Sequence, residues 1–382
     1  HASHSCWHGC AVGAVRAPSR CEAAMDLNAF FSDPRRRNIA ILAALALIST
    51  VLAIFALNER AAEVAPKYTP QAFFPGFAGD LNKAAHIHIV SKKNGAFDVT
   101  FKPEKGWVLP GRSNYPASFE EVRKTLVGLA ALQTIEPKTS RTDWFHYVDL
   151  DAPPKGNGVL ITVSDDQNHT LASLIVGKSE DTDDASDFVD LFARKPNDSQ
   201  SWLVKSPFQP QASQTDWMSK KVVDVDNSRI QEADIHPLSG PGYTVKRDKP
   251  SDTDFTLSPI PRGRVLVDPG APDDVANALA GFSFDDVEPS ANFDFDTQSS
   301  RLVTRTFDGL IVSVDVIKQG GDYWARVFAD AVPGKPEAAK EAHEINARAA
   351  GWAYKLPAYK GAQFLTSLDS LLKPVGKAKG SK

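Results

Sequence analysis

The sequence predicts an α+β protein: one N-terminal transmembrane helix, then two similar, duplicated α+β domains built on mainly antiparallel sheets. Three observations carry this. Ile39–Leu57 runs for nineteen residues without a charge. Two amphipathic segments, Val122–Leu132 and Val275–Phe282, lead into matching exits, Ile135-Glu136-Pro137 and Val287-Glu288-Pro289. Short runs of β-forming residues, broken by turn residues, flank both segments in the same order.

The apolar run spans about 28 Å as a helix, close to the hydrocarbon thickness of a bilayer. Arg35, Arg36 and Arg37 abut one end and Asn58, Glu59 and Glu63 follow the other. The positive-inside rule then places residues 25–38 in the cytoplasm and the body outside, as a single-pass membrane protein. Residues 1–24 differ in composition from the rest of the chain, and Met25 opens a coherent segment, so 1–24 is read as non-native or over-extended. A Pro-rich linker is expected over 58–83, the first repeat over 84–230, the second over 231–375, and a basic tail over 376–382.

Each half reads as β-β-β-α-β-β-β-β. In the first, Ile87–Val90, Phe97–Phe101 and Trp107–Leu109 precede the helix; Gly158–Val163, Thr170–Val176, Phe188–Phe192 and Ser201–Val204 follow it. In the second, the runs before the helix are Ile235, Tyr243–Val245 and Phe255–Leu257. Leu302–Phe307 and Leu310–Ile317 follow, joined by Asp308-Gly309, a strong short-range hairpin signal; Tyr323–Phe328 and Trp352–Leu356 complete the set. Two helices break the repeat. Pro333–Ala350 is a charged helix where the first half has only the turn Lys195–Gln200. Gly361–Leu372 reads as a closing helix with Phe364, Leu368, Leu371 and Leu372 on one face, answering Thr215–Val223.

Composition limits the chemistry. Acidic residues outnumber basic ones, 47 to 43, which argues against a nucleic-acid partner. Cys6, Cys10 and Cys21 are the three cysteines, so from Glu22 onward there is no disulfide, thiol nucleophile or cysteine-bound metal. His1, His4, Cys6, His8 and Cys10 crowd together without a second ligand pair at finger spacing. His86 and His88 share a strand face but lack a third ligand, and Asp181, Asp183, Asp184 and Asp187 lack the glycine and glutamate of a calcium loop, as does the series Asp224, Asp226, Ser228. Ser213 and Ser367 have no nucleophile context, and Gly156-Asn157-Gly158 and Gly240-Pro241-Gly242 read as turns rather than phosphate loops. The expectation is therefore no catalytic, cofactor-binding or metal residues, and no enzyme. Trp107, Trp144, Trp202, Trp217, Trp324 and Trp352, with Tyr115, Tyr147, Tyr243, Tyr323, Tyr354 and Tyr359, read first as core filling, and second as a surface for glycan or peptide. A hydrolase using Asp165, Asp166 or Asp308 is the third alternative.

The order of motifs resembles a known family. Gly106-Trp107-x-Leu109, Asn114-Tyr115-Pro116-Ala117, the Val122–Leu132 helix, Leu171–Gly177, Asp187-Phe188-Val189-x-Leu191, Ser201-Trp202-Leu203-Val204, Asp216-Trp217 and the Arg229-Ile230 segment are similar to the bacterial domain-of-unknown-function 4340 (DUF4340) family. Gly351-Trp352-Ala353-Tyr354-Lys355-Leu356-Pro357 fits as well. The resemblance implies a single-span envelope protein associated with an ABC-2 type exporter, with a permease and a gliding-type auxiliary subunit as partners. It implies a non-catalytic accessory or ligand-binding role and supplies no catalytic residues.

Overall fold

The computed structural model describes residues 34–64, 68–180 and 188–375. The expectations for residues 1–24, for Met25, for the acidic loop Asp181–Asp187 and for the basic tail fall outside them. The chain divides into two compact units between Tyr68 and Thr69.

In the first unit, helix α1 spans Pro34–Val64. Its Arg37–Leu57 segment of 21 residues is long and apolar enough to cross a membrane, and none of it is buried. The two hydroxyls within it are satisfied inside the helix: Ser49 Oγ and Thr50 Oγ1 donate to the Ala46 carbonyl at 2.9 and 2.8 Å. A helix crossing hydrocarbon would need this, because no water is there to take an unpaired donor.

The second unit is α+β and starts earlier in the chain than Ala84. Strand β1 (Gln71–Ala72) pairs with β6 (Gln133–Pro137), and Phe73 and Phe77, the latter opening the one-turn helix α2 (Phe77–Asp80), are buried in the core. The other strands of this half are β2 (His86–Ser91), β3 (Gly95–Lys102), β4 (Gly106–Leu109), β5 (Tyr115–Pro116), β7 (Val159–Ser164), β8 (Thr170–Glu180), β9 (Val189–Arg194) and β10 (Ser201–Ser206). They form a ten-stranded antiparallel sheet in the order β1-β6-β10-β9-β8-β7-β2-β3-β4-β5. Helix α3 (Phe119–Ala131) covers its inner face through Val122, Leu126 and Leu129, at the helical spacing the sequence predicts.

The second half contributes β11 (Ile230–His236), β12 (Tyr243–Lys246), β13 (Thr256–Ser258), β15 (Asp286–Pro289), β16 (Ser300–Thr306), β17 (Leu310–Gln319), β18 (Asp322–Ala331) and β19 (Trp352–Leu356). These make an eight-stranded antiparallel sheet ordered β13-β12-β11-β16-β17-β18-β19-β15. Labelled by position along the chain, the eight common strands follow one spatial order in both halves. The Glu-Pro exit lies at one edge beside the last strand, then come the two hairpins in reverse, then the three strands that precede the helix. Both exits are thus paired strands rather than free extended segments.

The helices of the second half depart from expectation. Helix α4 is only Ala271–Ala276, six residues, and covers just the start of the amphipathic segment Val275–Phe282. The chain leaves the helix at Asn277 and turns through Gly281 at φ +60°, and along this turn the Ala278 and Ala280 carbonyls accept from Lys360 Nζ at 3.1 and 2.7 Å. Helix α5 is the single turn Phe295–Gln298. Helix α6 (Pro336–Ala349) is the expected charged insertion, burying Ala338, Ala342, Ile345 and Ala349. The closing segment is split: α7 (Ala358–Phe364) ends at Leu365, and Ser367 Oγ caps a separate 3-10 turn, Leu368–Leu371, by accepting the Ser370 N–H. The chain closes with β20 (Leu372–Pro374) against β14 (Arg264–Leu266).

One continuous apolar core joins the two sheets, from Phe73 to Leu372. At the junction Tyr115 is edge-on to Trp352 at 5.0 Å and its hydroxyl donates to the Ser219 carbonyl at 2.8 Å. Trp217 is fully buried, and its indole N–H donates to Gln211 O at 3.0 Å, so the ring enters the core without an orphan donor.

Candidate functional site

The β6–β7 connection builds an aromatic slot on the outer face of the first sheet. Thr142–Val148 forms a 3-10 helix, in which residues three apart lie on one side. Phe145 and Val148 therefore turn inward, where Phe145 and Leu150 pack on Ile175 of β8. Gly177 permits the approach, because a Cβ there would collide with the Val148 carbonyl oxygen. Buried Arg194 locks the turn: its guanidinium stacks 4.7 Å over Phe145 and its Nε donates to Leu150 O at 2.9 Å. Trp144 and Tyr147 then face outward, 46% and 65% exposed. With Lys138, Thr139, Val148, Phe192 and Ser201 they enclose about 220 Å³.

The second sheet repeats the device without the slot. Its β15–β16 connection places Phe295 on Ile317 and Trp324, with Arg326 stacked 5.0 Å over Phe295. Here the outer face carries charge instead. Asp315 is fully buried between Arg301, at 2.5 and 3.0 Å, and Arg326, at 2.9 Å. Beside them Arg305 bridges Glu232 and Asp234.

A larger groove, about 540 Å³, runs between α6 and the end of β18. Strand β18 pairs with β19 only over Tyr323–Ala325. Further on, Asn346 of α6 takes the place of a neighbouring strand, bonding both the N–H and the carbonyl of Ala329. The groove is lined by Asp330, Val332, Lys335, Ala339, His343 and Asn346.

The residues singled out from sequence are dispersed. His88 Nδ1 lies 2.6 Å from Asp98 Oδ1, and in the same cross-strand row stand Thr162 and Ser173, hydrogen-bonded at 2.8 Å. His86 meets Thr100 at 3.4 Å. This row lies on an open sheet face. Among the described residues there is no group of three or more His, Cys, Asp or Glu side chains able to hold a metal. Asp165 and Asp308 occupy the same hairpin tip in the two different sheets, together with Asp166 in the first. Asp165 accepts from the His169 and Gln167 N–H groups; burial would raise its pKa, but these bonds hold it below the usual range. Asp308 is paired with Arg229, which also grips Glu341 of α6. Asp226 caps a turn through the Ser228 N–H, Ser213 bonds Thr215, and Ser367 caps the Leu368–Leu371 turn.

Of the tryptophans, Trp217 and Trp324 are buried, Trp107, Trp202 and Trp352 are half-buried, and Trp144 is exposed. The core-filling reading thus holds for most of these rings and fails for Trp144, Tyr147 and Tyr359. The signal that marks the first two is their spacing: Trp144, Phe145, His146 and Tyr147 are consecutive rings in a connection, and a 3-10 turn sorts such a run into an inner and an outer side.

The fold and these surfaces define a class: a chain with, among the described residues, one helix able to cross a membrane and a mainly antiparallel α+β body whose candidate sites are surface grooves. Residues 107–300, just over half of the chain, match the family described as a domain of unknown function, DUF4340. The chain belongs to that family. No curated protein and no solved structure matches it.

Proposed function

We propose that this chain is a membrane-anchored, non-catalytic docking subunit of an ABC-type (ABC-2, gliding-like) export system of the bacterial cell envelope. Its N-terminus is cytoplasmic and its body periplasmic. The observation that carries the reading is the exposed apolar segment Arg37–Leu57 on the same chain as a body in which Asp308, Asp165 and His88 are engaged locally. Arg35 and Arg36 before that segment, Arg37 at its start, and Glu59 and Glu63 after it support the orientation. The exporter rests on the family resemblance.

The partner-facing surface is assigned to the α6 groove. The shared strand order supports a body made by duplication of one unit, and α6 is the large element that such a unit does not need. A permease and an auxiliary subunit are its proposed occupants. Solubilising membranes in mild detergent and capturing the full chain tests this: a permease and its ATPase should copurify, and Lys335→Glu with His343→Glu should reduce their recovery. Repeated capture of neither would overturn the reading.

The hydrolase alternative receives no support, since Asp165 and Asp308 are committed to hydrogen bonds and ion pairs on separate hairpins. The glycan alternative has less to draw on at the Trp144 slot, where two of the polar groups are engaged: Ser201 donates to Thr139 O and Lys138 pairs with Glu136.

A further inference from the structure

We infer that the slot formed by Trp144 and Tyr147 is a lipid contact, seating the body's β6–β7 end in the headgroup region of the membrane that anchors the chain. The inference rests on the membrane-anchored reading of the chain. Exposed tryptophan and tyrosine are costly in water and favoured at a bilayer interface, where an apolar ring and a polar tip are both solvated. These two rings are three apart on one side of a rigid turn held by Phe145, Arg194 and Gly177, so they form a preset wedge.

The neighbouring groups have the matching chemistry. Arg141 stacks 4.5 Å from Trp144, Lys138 lies 5.8 Å from the Phe192 ring, and Lys178 Nζ donates to Tyr147 O at 3.0 Å. Long cationic side chains beside aromatic rings are the usual companions of an interfacial anchor. Each cation has an acidic neighbour, Asp143, Glu136 and Asp149 respectively. The contact is therefore governed by the rings, and anionic lipid is not required.

Chain direction says what covers the slot. Gln71 and Ala72 pair antiparallel with Thr134 and Gln133, so the residues before Gln71 approach from the Ile135–Pro137 side. That is the end of β6 at which Lys138 and Thr139 begin the slot. About a dozen residues separate Leu57 from Thr69, a tether of at most about 40 Å even if fully extended. The end of the sheet nearest the tether is also the end bearing the exposed rings.

The test uses the full chain reconstituted in phosphatidylcholine vesicles whose acyl chains are brominated near the glycerol. Bromine should quench a part of the tryptophan emission that is missing from Trp144→Phe. Tyr147→Ala, which keeps Trp144, should cut that part by about half or more, and 0.5 M salt should leave it unchanged. Vesicle flotation separates the two readings: a chain that does not float has no anchor. A chain that floats while bromine leaves Trp144 unquenched overturns the lipid contact. So does a Trp144 shielded from aqueous iodide yet unquenched by brominated lipid, which would give the slot to a protein partner.

Discussion

The side-chain amide of Asn346 reads both backbone groups of Ala329: Oδ1 accepts the Ala329 N–H at 2.8 Å and Nδ2 donates to the Ala329 carbonyl at 2.7 Å. An amide has the same donor and acceptor spacing as a peptide group, so one residue of α6 stands in for the strand missing beyond β19. Asn346→Ala would leave both groups of Ala329 unpaired. It should cost about 1–3 kcal/mol in denaturant unfolding and increase self-association measured by sedimentation. Asn346→Asp keeps the size but sets a carboxylate oxygen against the Ala329 carbonyl oxygen, and at pH 7 should cost at least as much as Asn346→Ala.

Asp315 makes a second prediction. It is fully buried on the outer face of β17, with both carboxylate oxygens held by Arg301 and Arg326. Removing a buried charge from such a group leaves its partners unmatched, although the half-exposed Arg301 can turn to solvent. Asp315→Ala should destabilise by about 2–4 kcal/mol. A double-mutant cycle with Arg326→Met should recover part of that cost, and full additivity would refute the coupling.

Helix α3 carries a capping arrangement completed on one side only. Ser118 Oγ accepts the Glu121 N–H at 3.3 Å, but the Ser118 N–H is taken by the Trp217 carbonyl at 2.7 Å. The Glu121 carboxylate thus loses its usual return bond, and its Oε1 is buried without a partner. Burial pushes the Glu121 pKa up, with Lys124 only partly offsetting it. The folded state then holds this proton to higher pH than the unfolded chain, so wild-type stability falls as pH rises from the unfolded carboxyl value through the folded one. Glu121→Gln should stabilise by about 0.5 kcal/mol at pH 7, and the gain should vanish near pH 4. A gain that persists in acid would have another source.

Asp234 should behave in the opposite sense. Burial alone would raise its pKa, but the Thr244 hydroxyl at 2.6 Å and the Arg305 guanidinium together hold it below the usual range. A carboxylate lowered in the folded state contributes stability that is complete above the unfolded value near 3.9 and is lost as pH falls through the folded value. Urea midpoints between pH 7 and pH 2.5 should therefore drop less steeply for Asp234→Asn than for wild type, with the two curves meeting in acid.

Much of the fold could be read from local chemistry. The Asp308-Gly309 turn, the period of Val122, Leu126 and Leu129, and the charged stripe of α6 each specify their element within a dozen residues. The failures came where distant residues decide. Thr134–Pro137 reads as an exit because its partner strand, Ser201–Ser206, is more than sixty residues away. The second helix ends at Ala276, and the carbonyls of the turn after it are taken by Lys360, from far along the chain, a contact that no local pattern announces. The aromatic slot could not be placed either, since its outward rings are distinguished from its inward ones only once Thr142–Val148 lies across Gly177.

The core that runs unbroken from Phe73 to Leu372 has a consequence for how the body comes apart. Neither sheet has its own interior to fall back on, so losing one exposes the packed face of the other. Denaturation should then be a single all-or-none event, with one heat-absorption peak whose calorimetric and van't Hoff enthalpies agree. No half-melted form with a sticky sheet should then linger in the population.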